Sequence, residues 1–155
     1  MISEKFVKLI EENAKEITDY WINDIHKNES TPSFHEMARE ECMGYGMSIL
    51  KELGNWLDEK DKGGDVKDIY IKLGQKRAIE PRPLSDVVSA QLLLKRHIWL
   101  YVLSHGFLST TYELYQILEV NNRVVDFFDR LIFYLIYGYE LETTAKIDRM
   151  ADHFK

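Results

Sequence analysis

A chain of 155 residues is long enough for one domain with a real hydrophobic core, and 45 % apolar against 30 % charged residues is the balance of a folded globular protein. A net charge of −6 opposes binding to nucleic acid or an anionic membrane, and no run of Lys and Arg is long enough to reverse that locally. The single cysteine, Cys42, excludes an internal disulfide and a CxxC metal or redox pair, and it fits a reducing cytoplasm.

The amino-terminal MISEKF has no basic stretch running into an apolar one, so no secretory signal is expected. The longest greasy stretch, RLIFYLIYGYE at 130–140, is too short to span a bilayer, so no membrane insertion is expected. Sustained period-two alternation is missing. The expectation is one all-α domain over 1–155, about five helices bundled around a central helix, with a long C-terminal helix.

The first helix is expected over about 3–27, capped by Ser3, with Phe6, Leu9, Ile10, Ile17, Tyr20 and Trp21 as its apolar stripe. NESTPS at 28–33 breaks the chain. A second helix is expected over about 33–59, with Ala38, Cys42, Tyr45, Ile49, Leu53 and Trp56 along one face. Gly44 and Gly46 either weaken this helix or admit another backbone. DKGGD at 61–65 reads as a loop, with Asp65 a candidate cap for a short helix over 66–79. EPRP at 80–83 ends that helix, because residues before proline avoid the helical region.

The next helix runs from about 84 to 105, with Gly106 as its stop. Leu84, Val87, Val88, Leu94, Ile98 and Val102 define its core face, widened by Leu92, Trp99, Leu103, Ala90 and Tyr101. So little is left for water that this reads as the central helix. Gln91 and Lys95 then fall on the apolar face and His105 at its edge. Buried polar groups need partners, so Lys95 either snorkels out or pairs with Glu41 or Glu52. The functional alternative is that Gln91, Lys95 and His105, with Tyr45 and Tyr134, line a pocket for a small polar or anionic ligand. His97 lies on the more polar edge, while His26 and His35 straddle a loop and read as solvated.

The final helix begins at the capped start STTYE, 109–113, and runs to the C-terminus unless bent at VNNR, 120–123. Two adjacent stripes are apolar over 114–141, one through Leu114, Leu118, Val125, Phe128, Ile132, Leu135 and Tyr139, the other through Ile117, Val120, Val124, Phe127, Leu131, Tyr134 and Leu141. Beyond Tyr139 a thin stripe remains: Leu141, Ala145, Ile147, Met150, Ala151 and Phe154. Either 142–155 folds back on the bundle, or it is a signalling-helix extension toward a partner. Glu140 and Glu142 read as exposed charges, and Tyr137 and Tyr139 as further hydroxyls for an internal pocket.

No H-E-x-x-H, G-x-S-x-G, Walker loop or G-x-G-x-x-G occurs, so no catalytic residue, metal ligand or cofactor site is assigned and no enzyme is expected. Two other classes stay open: a heme-binding globin-type sensor with His97 or His105 as axial ligand, and an enzyme using a desolvated Lys95.

Residues 70–103, YIKLGQKRAIEPRPLSDVVSAQLLLKRHIWLYVL, resemble a bacterial signalling pattern. LGQKRA, PLSDVV and LLLKRHIW are similar to the N-terminal domain family of the RsbT co-antagonist RsbRD, found ahead of output modules and in stressosome components. The resemblance implies an all-helical, cytoplasmic, non-catalytic sensory domain, often a homodimer, passing its signal to a downstream domain or protein. It also implies that Gly74, Arg77 and Pro83 build the turn into the central helix, and it keeps a globin-like helical arrangement as the alternative fold. This chain departs from the pattern at Glu80–Pro81, where the family carries a small residue or Gly, and at His97, where it carries an apolar one. Family members continue into a second domain, so a chain ending at Lys155 reads as a truncated module or a stand-alone relative.

Overall fold

The computed structural model describes residues 2–58, 66–80, 82–105 and 108–154. Five α-helices follow one another: α1 (Ile2–Ile25), α2 (Arg39–Leu57), α3 (Val66–Ile79), α4 (Leu84–Ser104) and α5 (Thr111–His153), with a 3-10 turn at Pro32–Phe34. The fold is an all-helical bundle with a long C-terminal helix, and the described residues include no strand. No described helix is long and apolar enough to cross a membrane.

The sequence limits most of these elements. α3 stops and α4 starts where EPRP requires, with Pro83 as the N-cap of α4. α5 begins at a capping arrangement one residue later than Ser109: the Thr110 side chain accepts from the Glu113 N–H, and Glu113 accepts from the Ser109 N–H and hydroxyl. These bonds and Lys5 hold the Glu113 carboxyl down at about 2. α2 starts six residues later than expected, because Pro32 sets a single 3-10 turn that buries Phe34 and Met37 before the helix begins. Ser3 lies inside α1 rather than capping it. α1 bends at Asn13, whose amide donates to the Leu9 carbonyl at 2.8 Å and competes with the helix's own bonding. The expected 61–65 loop, Asp65 cap, Glu59 helix end and Gly106 stop lie outside the described residues.

α5 is the common wall of the bundle, packing on α1, α2, α3 and α4. It runs without a break through 120–123, and 43 residues give it a length of about 65 Å. Arg123, where a bend was possible, donates to the Trp56 carbonyl while Trp56 donates to the Arg123 carbonyl, tying α2 to α5. Its buried line is Ile117, Val120, Val124, Phe127, Phe128, Leu131, Leu135 and Gly138, so Leu114 and Leu118 of the expected two-sided face stay exposed. α4 is therefore not wrapped on nearly all sides. It buries Val87, Ala90, Leu94, Ile98, Tyr101 and Val102 and leaves Leu92, Leu100 and Leu103 to solvent.

The closest packing is between α3 and α5. A Cβ added to Gly74 would stand 2.0 Å from the Leu135 carbonyl oxygen, and one added to Gly138 would stand 2.0 Å from the Ile71 carbonyl oxygen. Each glycine thus turns an α-hydrogen onto a carbonyl of the other helix, a reciprocal pair of weak hydrogen bonds that only glycine allows. Gly74 accordingly sits within α3 at the crossing, not in the turn where the resemblance put it. Gly46 likewise fits against Thr18 and Trp21 of α1, whereas Gly44 faces open space.

An alanine at position 74 or 138 must push two backbones apart, and the helix-propensity gain of about 1 kcal/mol is too small to offset that. Gly74→Ala and Gly138→Ala are each expected to lower stability by about 3 kcal/mol in urea denaturation. Gly44→Ala, with room at its Cβ, is expected to raise it by up to about 1 kcal/mol.

Candidate functional site

The last turn of α3 carries Arg77, which is only 3 % exposed although charged. Its guanidinium donates to Glu80 at 2.7 Å and lies over the Tyr45 ring of α2, 3.7 Å from the centroid. A buried cation demands such partners. Glu80 also accepts from Arg82 Nε at 3.2 Å. Burial raises the Glu80 carboxyl, but the hydrogen bonds and charges of Arg77 and Arg82 outweigh it and hold the group below its ordinary value. The Arg82 N–H donates to the Arg77 carbonyl and closes the turn.

Arg82 carries the cluster outward. Its guanidinium donates to the Ser33 carbonyl and lies 4.8 Å from the Phe34 ring centroid. The Ser33 N–H donates to Asp86 in the first turn of α4 at 2.8 Å, and the Tyr139 hydroxyl of α5 donates to the Arg82 carbonyl at 2.7 Å. Six charged or polar side chains, Tyr45, Arg77, Glu80, Arg82, Asp86 and Tyr139, thereby tie α2, α3, α4, α5 and the Pro32 turn to one point. On the outer side of this point opens a cleft of about 590 Å³, lined by Ile79 of α3, Arg82 of the turn, and Tyr139, Glu142, Lys146 and Arg149 along one face of α5.

Gln91 and Lys95 stand one turn apart on α4, and among the described residues no hydrogen bond, ion pair or ring contact joins any two of the five residues expected to share a pocket. Gln91 is buried on α4, and its side-chain oxygen has no hydrogen-bond partner among the described residues. Lys95 is half-buried one turn on, and no ion pair forms with Glu41 or Glu52. His105 is the exposed C-cap of α4, stacked on Tyr101 at 3.8 Å. Tyr134 is half-buried on α5, edge-on to Phe133. Only Tyr45 joins the Arg77 cluster. Tyr139 gives its hydroxyl to that cluster instead of an internal pocket, and Tyr137 is exposed.

The histidines hold loop and helix ends. His97 Nε2 is 2.7 Å from Asp24 Oδ2, a pairing of α4 with the end of α1. Burial raises the Asp24 carboxyl, yet hydrogen bonds from Asn28 and His97 and the nearby charges of His97 and Arg96 bring it below its ordinary value. His26 is half-buried rather than solvated and meets the Met37 carbonyl at 3.0 Å, whereas His35 is exposed. No three His, Cys, Asp or Glu side chains among the described residues are grouped to hold a metal.

No family model, curated protein or solved structure gives a significant match to this chain.

Replacing Glu80 by Gln leaves the Arg77 charge buried without its carboxylate, and is expected to cost about 3 kcal/mol at pH 7. The lowered carboxyl contributes in full above the ordinary value of 4.5, and the contribution fades as pH falls through the folded value. The stability gap between wild type and Glu80→Gln is thus constant near neutrality and closes in acid, as urea titrations at pH 7 and pH 3 would record. Gln91→Met removes an unpartnered buried oxygen at nearly constant volume and is expected to raise the urea midpoint, by about 1 kcal/mol in stability.

Proposed function

We propose that this chain is a non-enzymatic bacterial sensory or interaction domain, cytoplasmic, of the kind found at the N-terminus of the RsbT co-antagonist RsbRD and in stressosome components. One observation carries the reading. α5 forms the wall of the bundle as far as Gly138 and then continues for fifteen residues to His153. On that continuation Leu141, Ile147, Met150 and Phe154 are exposed, Ile147 by 59 % and Phe154 by 84 %. This exposure supports an extension toward a partner over a segment 142–155 folded back on its own bundle.

An apolar stripe in water on a continuous helix is a surface for another helix. The occupant that fits best is the same segment of a second copy, which makes a homodimer with paired α5 extensions. A displacement inside either bundle then reaches a downstream domain or protein through the rigid helix. The resemblance over 70–103 supports the same class. No observation favours the heme or Lys95 readings: the Nε2 of His97 is engaged by Asp24, and His105 lies flat on Tyr101.

A triple variant, Ile147→Gln with Met150→Gln and Phe154→Ser, tests the reading. Sedimentation equilibrium is expected to find a dimer for the wild type and a monomer for the variant, with bundle stability unchanged within about 0.5 kcal/mol. A wild-type chain that sediments as a monomer, or a variant that stays dimeric, would remove the basis for this proposal.

A further inference from the structure

The cleft beside the Arg77 cluster has features that the packing of the bundle does not require, and we propose that it binds a small phosphorylated molecule, a phosphate monoester on an apolar body. Its volume of about 590 Å³ falls within the ordinary range for small-molecule sites. Charge is the first argument. The cleft's lining carries three cations, Arg82, Lys146 and Arg149, and one carboxylate, Glu142. That leaves an excess of two positive charges in a chain whose net charge is −6. A phosphate monoester near neutral pH carries close to two negative charges and matches that excess.

Preorganisation is the second argument. Arg82 is fixed before any ligand arrives, by Glu80, the Ser33 carbonyl and the Phe34 ring. A guanidinium held in this way loses little freedom on meeting a phosphate. On α5, Lys146 forms no ion pair among the described residues, and Arg149 spends one contact on Glu142 at 3.0 Å. The third argument is the apolar wall. Ile79, 67 % exposed, and Tyr139 line the same cleft as the cations and offer apolar surface from which a bare inorganic ion gains nothing. The site stands independently of the dimer, since the Gln and Ser substitutions at 147, 150 and 154 leave every named cleft residue in place.

The test is a titration of the ¹⁵N-labelled full chain at a constant ionic strength of about 0.15 M. Phenyl phosphate, inorganic phosphate and benzoate are the probes, and the amides of Ala78, Tyr139 and Lys146 are followed. Phenyl phosphate is expected to move these amides saturably and to bind at least about fivefold tighter than either other probe. Lys146→Gln/Arg149→Gln is expected to weaken it by at least about tenfold. Both side chains are on an exposed stretch, so the urea midpoint should not change. Absence of saturable shifts, or equal affinity in the double variant, would overturn the site. Inorganic phosphate binding as tightly as phenyl phosphate would overturn the apolar half of the proposal, and benzoate doing so would overturn the dianion.

Discussion

The packing of this bundle turns on the contact between Gly74 and Gly138. Two helices normally keep their axes 8–10 Å apart because side chains stand between them. Here the side chains are missing at the crossing, and the backbones meet through the Leu135 and Ile71 carbonyls. The consequence reaches both ways along α3. Toward its start, Val66 and Tyr70 are pressed into the core, with the Tyr70 ring edge-on to Phe127. The Tyr70 hydroxyl has no partner among the described residues, and burial raises its pKa far above the ordinary value. Toward its end, Arg77 is brought so near the interior that it must carry its own counter-ion. The buried charge is a result of the close crossing rather than a separate feature.

The opposite side of the molecule is held by polar contacts between α1 and α4. Trp21 donates to the Ala90 carbonyl at 2.8 Å, His97 meets Asp24, and the Tyr101 hydroxyl donates to Glu16 at 2.9 Å. Burial and the Glu16 carboxylate push the Tyr101 hydroxyl up to about 12, so it remains a donor throughout the physiological range. These bonds explain how α4 remains in register while one of its faces is open. A half-covered helix with Leu92, Leu100 and Leu103 in water gains less from burial than a central one, and directional bonds to α1 fix its rotation instead.

Much of this architecture was legible in the sequence, because helix ends are local. Pro83 and the Thr110–Glu113 cap each act within a few residues, and the buried lines of α2 and α5 follow helical spacing, whereas α2 starts six residues past the point the sequence marks. What stayed hidden depends on which helix faces which. Gly138 sits among aromatic residues and breaks no pattern, so nothing marks it until α3 is laid across it. Gly74 drew notice for the wrong reason, as a turn residue. The wide apolar wheel of α4 suggested burial all round, yet a wheel does not say whether enough neighbours exist to cover it, and five helices do not supply them. Among the described residues no hydrogen bond, ion pair or ring contact joins any two of Gln91, Lys95, His105, Tyr45 and Tyr134. Those residues were grouped by polarity within apolar stretches, whereas the cluster that forms is grouped by one turn. The Arg77, Glu80 and Arg82 spacing was visible and is the signal that would have found it.

The turn and the long helix are mechanically connected, and the order of their contacts decides how. Leu135, Gly138 and Tyr139 are consecutive contacts on α5: the first two grip α3, and the third takes the Arg82 carbonyl. Beyond them α5 lines the cleft through Glu142, Lys146 and Arg149, while Ile147 and Met150 are exposed. Arg82 is fixed in turn by Glu80 and by the Ser33 carbonyl, so a shift of the Pro32 turn or of the α4 start pulls on the same carbonyl that Tyr139 holds. The close crossing at Gly138 and the polar tie at Tyr139 thus stand side by side on α5, so α5 is gripped by α3 and by the turn after it at adjacent residues.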